Sequence, residues 1–243
     1  MAQTLSDHGA QVTVCVATKT GAEYLKEIPG LRILIGRKDT GQMTALMKEG
    51  FQCCIDATHP YAVEATRSIR AACSQADTPC YRLLRRKMPE DEIKQMNPGV
   101  RFCGSAKEAC RMLLEGGEDP GKCILLTTGA KEAASFTPLL KEAKNRIFVR
   151  VLPSEESIRL CLEAGFSRER ILTGSGPYSL QENVKTFRTY GIGTLVTKDG
   201  GIEGGFPEKL AAASACGVRV IVIRRPEEDG YSEAEILSAL FHD

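Results

Sequence analysis

Short apolar, β-branched runs alternate with segments of helical period along almost the whole chain. The runs predict strands at 12–17, 31–35, 51–56, 79–84, 122–127, 147–152, 171–172, 194–197 and 218–224. The periodic segments predict helices at 21–28, 41–48, 62–76, 106–114, 131–141, 155–164, 179–190, 207–215 and 232–241. The strands are continuously apolar rather than alternating, which is the pattern of a strand covered on both faces. Strand-helix alternation then implies right-handed parallel crossovers and a doubly wound α/β sheet.

Two stretches break the rhythm. Residues 87–100 are charged, hold Pro89 and Pro98, and read as loop. Residues 115–121 are rich in glycine and acid and suggest a domain boundary, giving domains 1–117 and 118–243. Each domain would carry its own sheet, with an interdomain cleft between the carboxyl edges, a favoured place for ligands. Residues 1–8 read as the tail of a helix stopped by Gly9.

Bulk composition excludes more than it proposes. The chain has 243 residues, 26% charged and 42% hydrophobic, with a net charge of +1, so no global field points to nucleic acid or an anionic membrane. No apolar run approaches the roughly 18 residues of a membrane span, and no signal peptide is evident, so a cytoplasmic protein is expected. Ten cysteines are many, but no paired C-x-x-C spacing occurs and the three histidines stand apart from them, so no metal site is expected. Most cysteines lie in apolar runs and read as small hydrophobes in a reducing compartment. Nothing in the sequence indicates an oligomeric state.

Candidate chemistry sits at predicted strand ends, where open α/β sheets bind ligands. The most informative segment is Asp56-Ala57-Thr58-His59-Pro60-Tyr61-Ala62, a polar, proline-kinked loop between a strand and a helix. It has two readings. Thr58 and Pro60 suit a helix start, while His59 and Tyr61 suit a ligand wall. Thr127-Thr128-Gly129 could hold a phosphate or carboxylate at a helix start. Gly174-Ser175-Gly176-Pro177-Tyr178-Ser179 is a turn in which Ser179 and Glu182 have capping-box spacing. Thr197-Lys198-Asp199-Gly200-Gly201, followed by Gly204, Gly205 and Lys209, suits a phosphate or a solvated turn. Arg82, Arg85, Arg86 and Lys87 form either a solvated basic face or a polycarboxylate clamp. No complete dinucleotide fingerprint, P-loop or nucleophile elbow is present.

These segments, in this order, resemble the precorrin-6A reductase family of corrin-ring biosynthesis, including its cobalt-precorrin-6A branch. The matching segments are Val12–Thr18 with Gly21, Gly36-Arg37, Ile55–Ala62, Cys80-Tyr81-Arg82, Thr127–Gly129, Gly176–Ser179 with Asn183, Val196–Lys198, Lys209–Ala213 and Val222–Pro226. They span essentially the whole chain.

The resemblance implies two Rossmann-like domains and an NADPH-dependent reductase that delivers hydride to a tetrapyrrole-derived macrocycle, giving precorrin-6B or its cobalt form. Thr127, Thr128, Gly129, Thr197, Lys198, Gly200 and Gly201 would hold NADPH. Thr58, His59, Tyr61, Arg82 and Tyr178 would touch the macrocycle, with His59 either an acid or a carboxylate anchor and Tyr61 beside it. The sequence departs from the family in three places. The family begins with a strand and a Gly-Gly-Thr-type loop that would precede Met1, it has Arg-Pro and an aromatic near residues 85–88, and it has a small polar residue at Asp199. A non-catalytic tetrapyrrole-binding protein, or another nucleotide-dependent α/β enzyme, are the alternatives.

Overall fold

The strand-helix rhythm is realised in the computed structural model, which describes residues 1–116 and 121–241. In chain order the strands are β1 Thr13–Val16, β2 Arg32–Ile35, β3 Cys54–Asp56, β4 Cys80–Arg82, β5 Arg101–Cys103, β6 Cys123–Thr127, β7 Ile147–Val151, β8 Ile171–Thr173, β9 Ile192–Lys198 and β10 Arg219–Ile223. The helices are α1 Ala2–Asp7, α2 Lys19–Glu23, α3 Thr40–Met47, α4 Val63–Gln75, α5 Glu90–Met96, α6 Ala106–Leu114, α7 Thr137–Ala143, α8 Glu155–Glu163, α9 Leu180–Thr189, α10 Phe206–Ala215 and α11 Glu233–Phe241. Among the described residues no helix is long and apolar enough to cross a membrane.

The chain divides into two units, Met1–Leu84 with Glu227–Asp243, and Arg85–Pro226. The boundary expected at 117/118 lies outside the described residues, and the division falls elsewhere. Helix α6, expected with the first domain, belongs to the second unit, as does β5, a strand that no apolar run predicted and that pairs in parallel through Arg101–Cys103 with Ile221–Ile223 of β10.

The second unit holds a six-stranded, wholly parallel sheet in the order β5-β10-β9-β6-β7-β8. From β6 the chain steps outward to β7 and β8. It then returns to the other side of β6 as β9 and continues to β10. The strand order therefore reverses between β6 and β9, and such a switch point leaves a crevice outside the strand carboxyl ends. On one face Leu125, Phe148, Leu195, Val220 and Val222 pack with Phe187, Phe206, Leu210 and Ala213 of α9 and α10. On the other face Leu126, Ile147, Val149, Val196 and Ile221 are equally buried. Two covered faces explain why these strands read as unbroken apolar runs.

The first unit holds two parallel ribbons, β1–β2 and β3–β4, and no strand pairing joins them among the described residues. Helices α3 and α4 pack together, with Thr44 Oγ1 donating to Thr40 O and Gln75 Oε1 at 2.8 and 3.0 Å. The C-terminal segment returns to this unit through a parallel bridge between Leu83 and Tyr231.

Three local expectations differ from the structure. Residues 87–100 are not all loop: α5 begins after Pro89 with Glu90, Asp91 and Glu92 in its first turn, where carboxylates favour the helix dipole. Met88 and Ile93 occupy the two positions of a hydrophobic staple, and both are buried in the same core cluster. Helix α2 starts earlier than expected because the Thr18 hydroxyl caps it, accepting from Gly21 N at 3.1 Å. The helix expected at 131–141 is a 3₁₀ turn, Ala130–Phe136, followed by α7.

Ile93 is the one fully buried side chain of α5 and is 2% exposed. Ile93→Ala is expected to lower unfolding free energy by about 2–5 kcal/mol, measured by denaturant titration. A change within experimental error would show that α5 is not anchored to the core.

Candidate active site

In the first unit the loop after β3 is organised by Asp56. Its side chain is buried, and Oδ1 accepts from Thr58 N at 3.0 Å, an Asx turn that sends the chain away from the strand axis. Arg82, on the neighbouring strand, contacts the same oxygen at 3.0 Å and donates to Asp56 O at 3.2 Å and Thr58 Oγ1 at 2.9 Å. Its Nε and Nη2 both donate to Glu228 Oε2, at 2.9 and 2.7 Å.

Arg82 is therefore spent on holding the loop, not presented to a ligand: it is 4% exposed and bonded to three residues. Thr58 does not cap α4, whose N-cap, Ala62, has no side-chain bond. The Thr58 hydroxyl instead pairs with Thr66 Oγ1 on α4 at 3.1 Å. Pro60 precedes the helix rather than opening it. His59 is exposed, its Nδ1 lies 3.4 Å from Tyr61 N, and the two rings are 5.5 Å apart. The loop thus turns its scaffold inward and one imidazole outward, with the half-buried phenol at its side.

In the second unit the switch point gathers a row of polar side chains. Thr127 and Thr197 are register partners at the ends of β6 and β9. Arg150 follows Val149, the partner of Leu126, and so occupies the next place in that row on β7. Lys209 of α10 donates to Thr197 Oγ1 at 3.1 Å. Arg150 donates to Asn183 Oδ1 at 3.0 Å and lies 3.9 Å over the Tyr178 ring. Gly174 is required there, because a Cβ would collide with the Tyr178 hydroxyl. Tyr178, expected to touch the macrocycle, is part of the second unit's cationic cluster.

Neither cation of this cluster has a carboxylate ion-pair partner among the described residues. Desolvation, aided by the positive Arg150, pulls Lys209 down to about 8 from its ordinary 10.5. Desolvation likewise lowers Arg150, against the opposing influence of Tyr178 and Glu182. Arg150 Nη1 and Thr128 Oγ1 are buried with no protein partner. Unsatisfied buried donors of this kind call for a water or a ligand oxygen. Gly129 is exposed and opens the 3₁₀ turn that follows β6.

The third expected segment is tied down by internal bonds. Lys198 pairs with Glu132 at 2.9 Å. Asp199 is buried and gripped at both oxygens by Arg225, at 3.0 and 2.9 Å, while accepting from Gly201 N at 3.1 Å. Gly201 has φ +80° and its Cβ position faces the Arg86 carbonyl at 3.0 Å, so packing alone explains the glycine. Gly200 lies half-buried between them.

Sequence reasoning overlooked Arg150 and Glu132. A lone arginine inside the otherwise apolar run Ile147–Val151 was the available signal for the first. Glu132 carried none.

The model of the family described as Precorrin-6x reductase CbiJ/CobK matches residues 1–241, and the chain belongs to that family. It is 32% identical to a cobalt-precorrin-6A reductase of Methanothermobacter thermautotrophicus over 92% of this chain and 71% of the relative. It is 34% identical to the cobalt-precorrin-6A reductase of Salmonella typhimurium, over 88% and 78%. A solved structure of CobK precorrin-6A reductase superposes with a TM-score of 0.69 at 23% identity, covering 95% of this chain and 85% of that one, so the fold is shared. The chain is an oxidoreductase of the family that acts on corrinoid precursors.

If Arg82 is a structural cation, Arg82→Ala leaves Asp56 buried and unpaired and lowers unfolding free energy by about 3–5 kcal/mol. A ligand-facing arginine would instead lose activity at unchanged stability. Thermal and denaturant unfolding beside steady-state kinetics separates the two.

Proposed function

We propose that this chain catalyses the reduction of precorrin-6A, or its cobalt form, to the corresponding 6B macrocycle, using NADPH, in the cytoplasm. The observation that carries the cofactor assignment is the desolvated cationic pair Arg150 and Lys209 beside the β6/β9 switch point, with buried donors left over at Arg150 Nη1 and Thr128 Oγ1. Two partly desolvated cations with spare donors suit phosphate oxygens, and NADPH carries one phosphate more than NADH. When bound, the dihydronicotinamide supplies the hydride.

The chain's own residues then have distinct tasks. Thr127, Thr128 and Gly129 present hydroxyls and a strand-end turn at the switch point, while Thr197 orients Lys209. Lys198, Gly200 and Gly201 shape the neighbouring turn through internal bonds. In the first unit His59 anchors a substrate carboxylate, flanked by Tyr61, on a loop fixed from behind by Thr58 and Arg82. An anchoring role fits an exposed imidazole, and hydride addition to a polarised conjugated ring depends chiefly on positioning. The relatives reported above bear the cobalt name, so both metal-free and cobalt macrocycles belong in the assay.

Lys209 gives the reading a pH signature. Its ammonium is charged below about 8, so NADPH affinity is expected to be highest there and to fall as pH rises through about 8. Lys209→Met is expected to weaken NADPH by about 10- to 100-fold at neutral pH, to affect NADH less, and to flatten the pH profile. Fluorescence titration of both nucleotides across pH about 6 to 10 measures this. Equal binding of the two by wild type and variant would remove the phosphate assignment.

His59→Ala is expected to raise KM for the macrocycle about 10-fold or more while kcat and NADPH binding stay near wild type. A fall in kcat with loss of one limb of the pH profile would make His59 a proton donor instead.

A further inference from the structure

Three of the ten cysteines meet in the first unit although their sequence spacing matches no ligand motif. Cys54 and Cys80 are register partners on the parallel pair β3–β4. Cys73 reaches them from the last turn of α4. The three Sγ atoms all lie within 4.8 Å of one another. Cys73 is buried and the other two are half-buried.

We propose that Cys54, Cys73 and Cys80 form a site for a soft divalent cation of the zinc class, held by three thiolates with solvent at the fourth corner. Zn–S bonds of about 2.3 Å place tetrahedral sulfurs about 3.8 Å apart, so the cluster needs to contract by no more than about 1 Å. Rotation about χ1 of the two half-buried side chains supplies a movement of that size. No imidazole or carboxylate oxygen joins the cluster among the described residues, so hard cations such as Mg²⁺ and Ca²⁺ are disfavoured and thiophilic ones selected.

The surroundings favour a cation as well. Asp56 contributes negative potential at Cys73 and Cys80. A bound cation would tie both strands to the end of α4. The ties fall two residues before Asp56 on β3 and two before Arg82 on β4, directly behind the loop that bears His59. Its role is structural, and it needs no contact with the reacting atoms.

The test uses the whole reduced protein with Cd(II) as probe and Zn(II) as competitor. One equivalent of Cd(II) is expected to give the ultraviolet thiolate-to-metal band, protect three of the ten thiols from a chromogenic disulfide reagent and raise Tm. Equimolar Zn(II) should suppress the band. Cys80→Ala should abolish it with an unchanged circular dichroism spectrum, whereas Cys161→Ala, at a buried cysteine outside the cluster, should keep it. Should Cys80→Ala fail to fold, Cys54→Ser carries the same expectation. The proposal is overturned by absence of the band, by its persistence in the cluster variants, or by failure of Zn(II) to compete. It is equally overturned if the isolated protein holds a Cys54–Cys80 disulfide, formed by loss of two hydrogens to a cellular oxidant, that reduction opens without restoring metal binding.

Discussion

A buried aspartate at the end of a strand, locked to an arginine, is the constraint on which a strand-end loop of each unit depends. In the first unit it is Asp56 with Arg82, and in the second Asp199 with Arg225. Both carboxylates accept the backbone amide two residues on, Thr58 N and Gly201 N, and so bend the chain out of the sheet at a set angle. The arginine cancels the buried charge, which alone would cost several kcal/mol. It also ties in a distant segment. Arg82 takes Glu228 beside the returning C-terminal stretch, and Arg225 takes the Arg85 carbonyl. A residue that looks like an exposed ligand in a one-dimensional reading is thus the rivet of the loop. Asp199, where relatives are expected to carry a small polar residue, fits the same logic once Arg225 is its partner.

The second constraint is topological. Parallel strands all end on one edge, and the reversal between β6 and β9 leaves that edge without a crossover to cover it. The polar row therefore sits above an apolar one in the same register. Leu125, Phe148 and Leu195 belong to the core, and two residues later on each strand come Thr127, Arg150 and Thr197. A period of two along three neighbouring strands keeps both triplets on one face, so the core that fixes the strands also aims the polar row. Helices α9 and α10 close the arrangement by delivering Asn183 and Lys209 to that row.

Much of this was legible in the sequence for physical reasons. Strands buried on both faces are continuous apolar runs, and β6, β7 and β10 appeared within a residue or so of their bounds. The loops at 56–62, 127–129 and 197–201 were recognisable as strand-end turns because a polar cluster directly follows an apolar run. The rest depended on long-range partners. Helix α5 was hidden because its stability comes from Met88 and Ile93 docking on a core assembled from residues more than thirty positions away. Strand β5 is three residues long and exists only because β10 offers an edge. The bond from Arg82 to Glu228 could not be read because the two lie 146 residues apart. The cysteine trio escaped notice because its members come from two strands and a helix, so proximity arises from sheet register and not from spacing.

Four buried or half-buried cations near the strand ends, Arg82, Arg225, Arg150 and Lys209, differ in how far their charge is cancelled. Arg82 and Arg225 each face carboxylates, and their charge is cancelled within the fold. Arg150 faces an amide and an aromatic ring, and Lys209 faces a hydroxyl, partners that orient a cation without neutralising it. Holding Lys209 charged in the folded state therefore opposes stability below about pH 8, an effect relieved as pH rises from about 8 toward its unfolded value near 10.5. A fold that needed only stability would place an apolar side chain at that position of α10, between Glu208 and the fully buried Leu210. The uncancelled pair makes sense when an anion supplies the missing charge, because the desolvation that depresses Lys209 in the free protein also strengthens its attraction for phosphate oxygens. Under the proposed reading, the same low-dielectric setting that makes the uncancelled pair costly would strengthen its hold on an anion.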